Sequence, residues 1–274
     1  IGFTMGAEGA CSRILSIAYG APITYASFGE AKAPGQLPIR EMLDIYRVHA
    51  LNPQTRVYGI AGNAALASFS PFLHNPSFQT RGINSVYVPL QTQSFADLMA
   101  AADGLRIDGM SVTNPYKADA LEAADEVDAR SRSCGASNTL LIERYSGGRR
   151  IKAFNTDFDG VTIPIARHRE LLGSETAVVG NGGAARGAVV ALADARADVT
   201  LFYRNAERGE PVARELGVSG KLLEEIDATY DVVINATTLG AKAGDPSPVP
   251  ASRPGIRSPR SSLRVAPGSR SRST

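Results

Sequence analysis

Two charged residues in polar turns are the natural starting points for chemistry. Lys117 closes the stretch GMSVTNPYK (109–117), and Asp157 sits in FNTDFDG (154–160). Pro115 suits the first position of a helix, because its fixed φ is already helical and its missing N–H is not needed there. The composition of Tyr116–Leu121 is helical. Lys117 is then expected in the first turn, at the positive end of the helix dipole, where a cation costs about 0.3–1 kcal/mol. A carboxylate partner offsets that cost, and Asp157 is the best candidate. An ammonium tuned by a carboxylate is the kind of pair that proton transfer between a ketone and a hydroxyl requires.

Neutral polar groups cluster in four motifs. SFSP (68–71) sets Ser68 and Ser70 two apart before a proline, with Ser70 placed to cap a helix. SVTNPYK adds Thr113, CGASNTLL (134–141) puts Asn138 just before a strand, and FNTDFDG adds Asn155 and Thr156 in a turn. Hydroxyls, amides, one lysine and one carboxylate suit a neutral, polyhydroxylated ligand better than a phosphate or a lipid. Taken singly, each residue also has a plain structural explanation: Ser70 and Asp157 as caps, Asn138 as a turn residue, Lys117 as a solvated lysine.

The most legible stretch is TAVVGNGGAARGAVVALADARADVTLFYRNAER (176–208). An apolar strand runs into Gly180-x-Gly182-x-x-Ala185 and then an alanine-rich helix, which is the dinucleotide fingerprint in its required setting. Its glycines permit a tight turn, and the helix N-terminus offers free N–H groups to a pyrophosphate. The following strand ends in Tyr203-Arg204, with Arg208 one helical turn on, where an NAD site would usually carry an acid. A guanidinium suits a 2′-phosphate, so NADP is predicted over NAD. YDVVINATTLG (230–240) is a later strand whose polar exit places Thr237 and Gly240 near the nicotinamide.

These groups need a scaffold. VYGIAG (57–62), INSVYVPL (83–90), IDGMSV (107–112) and NTLLIE (138–143) are the strand candidates of a first region. From residue 173 to 250 the pattern runs strand, glycine turn, helix, strand, helix, strand, which implies a parallel sheet. Upstream, residues 1–47 hold short apolar runs and a helical stretch from about Ile39 to Val48, and 48–56 read as a linker. Residues 247–274 are rich in proline, serine and arginine and are expected to be disordered.

Composition excludes several classes. Of the 274 residues, 43% are hydrophobic and 20% charged, an ordinary globular mixture. The net charge of +2 arises from six arginines after position 250; without them acids outnumber bases, so no nucleic-acid partner is expected. Two distant cysteines and three scattered histidines give no disulfide framework and no metal-site spacing. No apolar run approaches a membrane span and no signal pattern opens the chain, so a cytoplasmic, reducing compartment is expected. The chain starts at Ile1 inside an apolar run and reads as a piece of something longer.

Six ordered motifs, YGIAGN…SFSPFLHNPSFQTRGINSVYVPL, GMSVTNPYK, GASNTLL, FNTDFDG, VVGNGGAARG and INATTLG, resemble the shikimate dehydrogenases over about residues 57–245. The resemblance implies reduction of 3-dehydroshikimate to shikimate with NADPH, within chorismate and aromatic amino-acid biosynthesis. It implies an α/β fold of two lobes: a substrate-binding domain (55–153) and a Rossmann NADP-binding domain (154–246), incomplete at its end, with the active site in the cleft. On the matching motifs, Lys117 and Asp157 resemble the catalytic pair, and Ser68, Ser70, Thr113 and Asn138 the substrate ligands. Gly180, Gly182, Gly183 and Ala184 resemble the pyrophosphate loop. Arg204 resembles the basic residue of an Asn-Arg-Thr motif whose flanks are here Tyr203 and Asn205. Departures are Ala67 for histidine, Ser111 for asparagine and Asn181 for alanine. Two rival readings are a quinate/shikimate dehydrogenase using NAD and a non-catalytic regulatory relative that binds ligand; retention of Lys117 and Asp157 argues against the latter.

MGAEGACSRILSIAYGAPITYASFGEAKAPGQL (5–37) instead resembles the C-terminal end of type I 3-dehydroquinate dehydratase, with Arg13 and Gln36 matching its substrate-binding residues and Lys32 at a usual serine. Residues 1–47 are too short for an eightfold barrel. They are expected to be a barrel remnant without dehydratase function, in a fragment of a bifunctional dehydratase–dehydrogenase.

Overall fold

Long apolar runs become the inner strands. In the computed structural model, which describes residues 2–227, 229–240, 245 and 247, β1 (Arg56–Gly62), β2 (Ser85–Gln91) and β3 (Ile107–Val112) are parallel, with Tyr58 opposite both Tyr87 and Gly109. Val57, Val86, Val88 and Ile107 are fully buried, as strands covered on both faces must be. The expected disordered tail lies outside the described residues, apart from Ser247.

The described residues divide into two units: those up to Glu126 with Ser137–Ala153, and Val127–Ala136 with those from Phe154 on. The decapeptide 127–136 therefore belongs with the second unit, although its chain neighbours on both sides belong with the first. In the first unit α1 (Ala10–Ala18) and α2 (Ser70–Thr80) pack on β2, and α3 (Phe95–Ala101) is capped by the Ser94 hydroxyl. The short α4 (Lys117–Glu122) follows β3. With β4 (Glu126–Val127), β5 (Thr139–Tyr145) and β6 (Gly148–Phe154), the sheet order is β2-β1-β3-β5-β6-β4, β5 running antiparallel to β3.

The N-terminal segment is an integral layer of that unit, since Ile14 and Leu15 of α1 are buried. Two expectations need correction here. The helical stretch at 39–48 is broken into a π-helical turn (Glu41–Ile45) and a 3₁₀ turn (Val48–Ala50), because Arg47 between them takes a left-handed backbone, φ 49°. The linker at 48–56 is tied down: Val48 and Thr55 are buried, and the Thr55 hydroxyl donates to Asn84 Oδ1 at 2.8 Å.

In the second unit α5 (Ala129–Cys134) and α6 (Asp157–Ala166) pack on α7 (Gly183–Asp194). Strands β7 (Glu175–Val179), β8 (Asp198–Tyr203), β9 (Ser219–Leu222) and β10 (Val232–Asn235) form a wholly parallel sheet in the order β10-β7-β8-β9. Helix α8 (Ala206–Glu215) connects β8 to β9 and is capped by Asn205, whose Oδ1 accepts the Arg208 N–H. Val178, Val189, Leu192 and Leu201 are fully buried at its centre. The strand order reverses between β7 and β10, so the carboxyl ends of those two strands form the ligand-binding crevice of such a sheet.

Candidate active site

In the first unit the predicted substrate residues gather at one edge, the C-terminal ends of β1 and β3. Thr113 follows β3, and its N–H donates to Ala61 O at 2.9 Å. Its methyl would lie 2.5 Å from a Cβ on Gly62, so β1 must end in glycine. Asn138 enters β5 beside it, its carbonyl accepting the Val112 N–H at 2.7 Å. The Lys117 carbonyl accepts the Ser137 N–H at 2.8 Å, which ties α4 to the same strand entry. Ser68, on the loop after β1, and Ser70, the first residue of α2, join hydroxyl to hydroxyl at 3.1 Å.

Two local details depart from expectation. Helix α4 starts at Lys117 rather than Pro115, which lies two residues earlier behind a cis peptide bond. Ser70 does not cap α2 but is its first residue, and Ser68 Oγ accepts the Ser70 N–H at 3.1 Å. A serine two residues ahead therefore supplies the acceptor that the helix start lacks.

Several residues that the motifs did not single out hold this edge together. Buried Asn75 in α2 donates to Tyr87 O and accepts from Tyr87 N, both at 2.8 Å, clamping the helix that begins with Ser70 onto β2. Gln91 Oε1 accepts the Leu66 N–H at 3.1 Å and steadies the loop that carries Ser68. The Tyr87 hydroxyl is buried and faces Ser70 and Ser111 without good hydrogen-bond geometry to either; burial raises its pKa, and those two hydroxyls oppose the rise. The signal for Asn75 was a buried amide in a helix with no solvent-facing pattern, which spacing alone does not reveal.

In the second unit the glycine turn sits where β7 ends. Gly180 has φ +123°, and a Cβ there would come within 3.1 Å of Ala236 O and 3.2 Å of Thr237 Cγ2. Only glycine tolerates both constraints. Gly182 is extended and faces open space, and Gly183 and Ala184 open α7. The N–H groups of that first turn have no intrahelical acceptor and suit an anion such as a pyrophosphate. Thr237 belongs to a loop shaped by Asn235, whose Oδ1 accepts the Thr237 hydroxyl at 2.7 Å.

At the end of β8 the paired residues Tyr203 and Arg204 separate. Tyr203 is buried, because its ring fills the space left by two glycines: a Cβ on Gly209 would lie 2.0 Å from Tyr203 Cγ, and one on Gly220 2.8 Å from Ala213 and 3.0 Å from the ring. Arg204 and Arg208 are exposed and make no ion pair among the described residues. They remain available to a phosphate at the ribose end.

Asp157 opens α6, its N–H held by Asn155 Oδ1 at 3.0 Å. Asn155 is buried, and its Nδ2 donates to Ala136 O at 3.0 Å and Cys134 Sγ at 3.3 Å, so its own work is structural. A Cβ on Gly187 would lie 3.6 Å from Asp157 Cβ, which sets Asp157 against α7 one turn beyond the glycine loop. Burial raises the Cys134 pKa, and that thiol serves as packing. Among the described residues no group of three or more His, Cys, Asp or Glu could hold a metal, and no helix is long and apolar enough to cross a membrane.

Comparison with known proteins decides the family. The profile of the shikimate dehydrogenase substrate binding domain matches residues 60–140, and that of type I 3-dehydroquinase matches residues 1–53. The NADP(+) shikimate dehydrogenase of Ignicoccus hospitalis is 37% identical over 198 residues, covering 71% of this chain and 73% of that protein. The chain belongs to the shikimate dehydrogenase family. The chloroplastic bifunctional 3-dehydroquinate dehydratase/shikimate dehydrogenase of Arabidopsis thaliana is 31% identical over 260 residues. That match covers 88% of this chain, which spans only 43% of the plant protein. Among solved structures, the shikimate 5-dehydrogenase of Thermus thermophilus, determined with NADP(H) and shikimate, superposes with a TM-score of 0.63 at 28% identity, covering 72% of this chain and 74% of that one. In this member of the family, the N-terminal match to a second family coincides with the layer that α1 adds to the first unit.

Proposed function

We propose that the chain reduces 3-dehydroshikimate to shikimate with NADPH. The observation that carries this reading is the glycine turn at the reversal of a four-stranded parallel sheet, with Arg204 and Arg208 free at the ribose end, in a member of this family. When bound, the reduced nicotinamide supplies hydride to the ring ketone. Gly180 shapes the turn, its own N–H being given to Phe202 O; Gly182, Gly183 and Ala184 hold the pyrophosphate through backbone N–H groups, Arg204 and Arg208 take the 2′-phosphate, and Thr237 borders the nicotinamide end. Lys117 donates a proton to the ketone oxygen as negative charge develops there, and Asp157 is the carboxylate that keeps the lysine charged for that task. Ser68, Ser70, Thr113 and Asn138 fix the substrate through its hydroxyl and carboxylate groups. Domain limits of 55–153 for substrate and 154–246 for dinucleotide belong to the same proposal.

The test is an absorbance assay of NADPH and NADH oxidation with 3-dehydroshikimate, run beside the reverse reaction with shikimate and with quinate. The reading expects turnover of 3-dehydroshikimate with a clear preference for NADPH. A preference for NADH and quinate would replace it with the quinate enzyme, and ligand binding without turnover would replace it with a regulatory protein.

A further inference from the structure

A cavity of about 260 Å³ opens in the first unit at the end of the sheet away from the substrate residues. Its floor is the N-terminal end of β2, at Asn84 and Ser85, whereas Ser68, Thr113, Lys117 and Asn138 lie at the C-terminal strand ends. One wall comes from Ile45–Leu51, within the match to type I 3-dehydroquinase, and the other from α2, within the match to the substrate binding domain. Both segments are needed to enclose the cavity as it stands in this chain.

Its lining specifies a ligand. Ile45, Leu51 and Phe78 are apolar, Asn52 and Asn84 supply amides, and among the described residues no carboxylate contributes. The Asn84 amide donates to Asn52 Oδ1 at 3.2 Å, and the Thr55 hydroxyl bonds to Asn84, so this polar wall is rigid. Arg47 is the single cation in the lining, half-buried and without an ion pair among the described residues. It sits at φ 49°, a left-handed conformation that is uncommon for such a residue and that clusters at functional positions. A guanidinium without an ion pair among the described residues, set among apolar walls, matches a small anion with an apolar body. The volume is too small for a nucleotide and suits a single ring.

We infer that this cavity is a second binding site, for a small carboxylate carrying an apolar ring, separate from the substrate edge. The carboxylate meets Arg47, and the ring lies against Phe78 and Ile45.

The test uses benzoate as the probe and neutral benzamide as its control, followed by amide chemical shifts of the isotope-labelled chain. Benzoate is expected to shift Asn52 and Gly82–Ser85 at millimolar concentration, and benzamide to bind about tenfold or more weakly, the worth of a charge-assisted hydrogen bond. Arg47→Asn removes the charge while keeping a residue that accepts positive φ, and is expected to lose benzoate binding by the same factor. Ser70→Ala is expected to leave it intact. The inference is overturned if benzoate and benzamide bind alike, if Arg47→Asn binds benzoate as before, or if the shifts fall only around Ser68–Ser70 and Lys117. None of these readouts depends on turnover, so the proposed reduction can fail while this site stands.

Discussion

The two units present polar groups at the C-terminal ends of parallel strands by opposite means. The second unit uses backbone: Gly180 shapes a turn beyond which Gly182 and the first turn of α7 offer N–H groups, and a side chain at Gly180 is excluded by close approach to Ala236 and Thr237. The first unit uses side chains: Ser68, Ser70, Thr113, Lys117 and Asn138 stand at the strand ends, each held by a backbone bond of its own or of a neighbour. A phosphate chain is much the same in every dinucleotide, so fixed backbone donors suffice for it. A polyhydroxylated ring has a pattern that only chosen side chains can match.

The largest test of that contrast is Lys117→Ala, expected to reduce kcat by 10²–10⁴-fold, the usual contribution of a positioned acid, with the fold unchanged by circular dichroism. A loss under tenfold would remove Lys117 as the main proton donor. Next is Asn75→Ala, which strands the N–H and C=O of Tyr87 in the core. A stability loss of about 2–4 kcal/mol is expected in urea unfolding, with a raised KM as the Ser70 helix loosens. Unchanged stability would mean that the side-chain edge does not depend on this clamp.

The backbone edge is tested by a pair of variants. Gly180→Ala meets Ala236 and Thr237 and a disallowed φ, and should cost about 1–3 kcal/mol of stability. Gly182→Ala meets nothing and should leave stability nearly unchanged while weakening NADPH binding, as calorimetry would show. Equal stability losses would erase the distinction between a steric glycine and a ligand-facing one. Arg204→Gln should raise the Kd for NADPH about tenfold and leave NADH unaffected, since only the former carries the 2′-phosphate.

The smallest effect concerns the pair that joins α7 to α8. Arg186 reaches both Glu215 oxygens at 2.8 Å and holds that carboxyl below its ordinary range. Its stabilisation is therefore present above the unfolded carboxylate pKa and is lost as pH falls through the lower, folded value. Because Glu215 is largely exposed, no more than about 0.2–1 kcal/mol is expected, visible as a small loss of Tm in Glu215→Gln at neutral pH that vanishes in acid.

Legibility followed the same division. Strands β1, β2, β3 and β5 were readable because unbroken apolar runs leave few alternatives. Strand β6 was not, since Arg149, Arg150 and Lys152 interrupt it, and acids from elsewhere in the first unit meet them: Arg149 pairs with Asp103 at 2.9 Å and Lys152 with Glu143 at 2.9 Å. The helix at 39–48 failed at one residue, Arg47, whose left-handed backbone no propensity announces. Arg204 was legible as a cation at the end of β8, but that Tyr203 turns inward depended on Gly209 and Gly220, six and seventeen residues further along from the tyrosine.

Local order along the chain determined the glycine turn, the strand before it, the helix after it and the identity of the polar motifs, because each depends on neighbours within a few residues. Tertiary structure alone decided that Asn75 clamps Tyr87, that Asn155 is spent on Ala136 while Asp157 lies against α7, and that residues 45–52 meet α2 around an unpaired Arg47. Those facts depend on which distant segments come together. Side-chain type does not encode that meeting: the same amide can bind a substrate, cap a turn or hold two elements together, according to what folding brings within 3 Å.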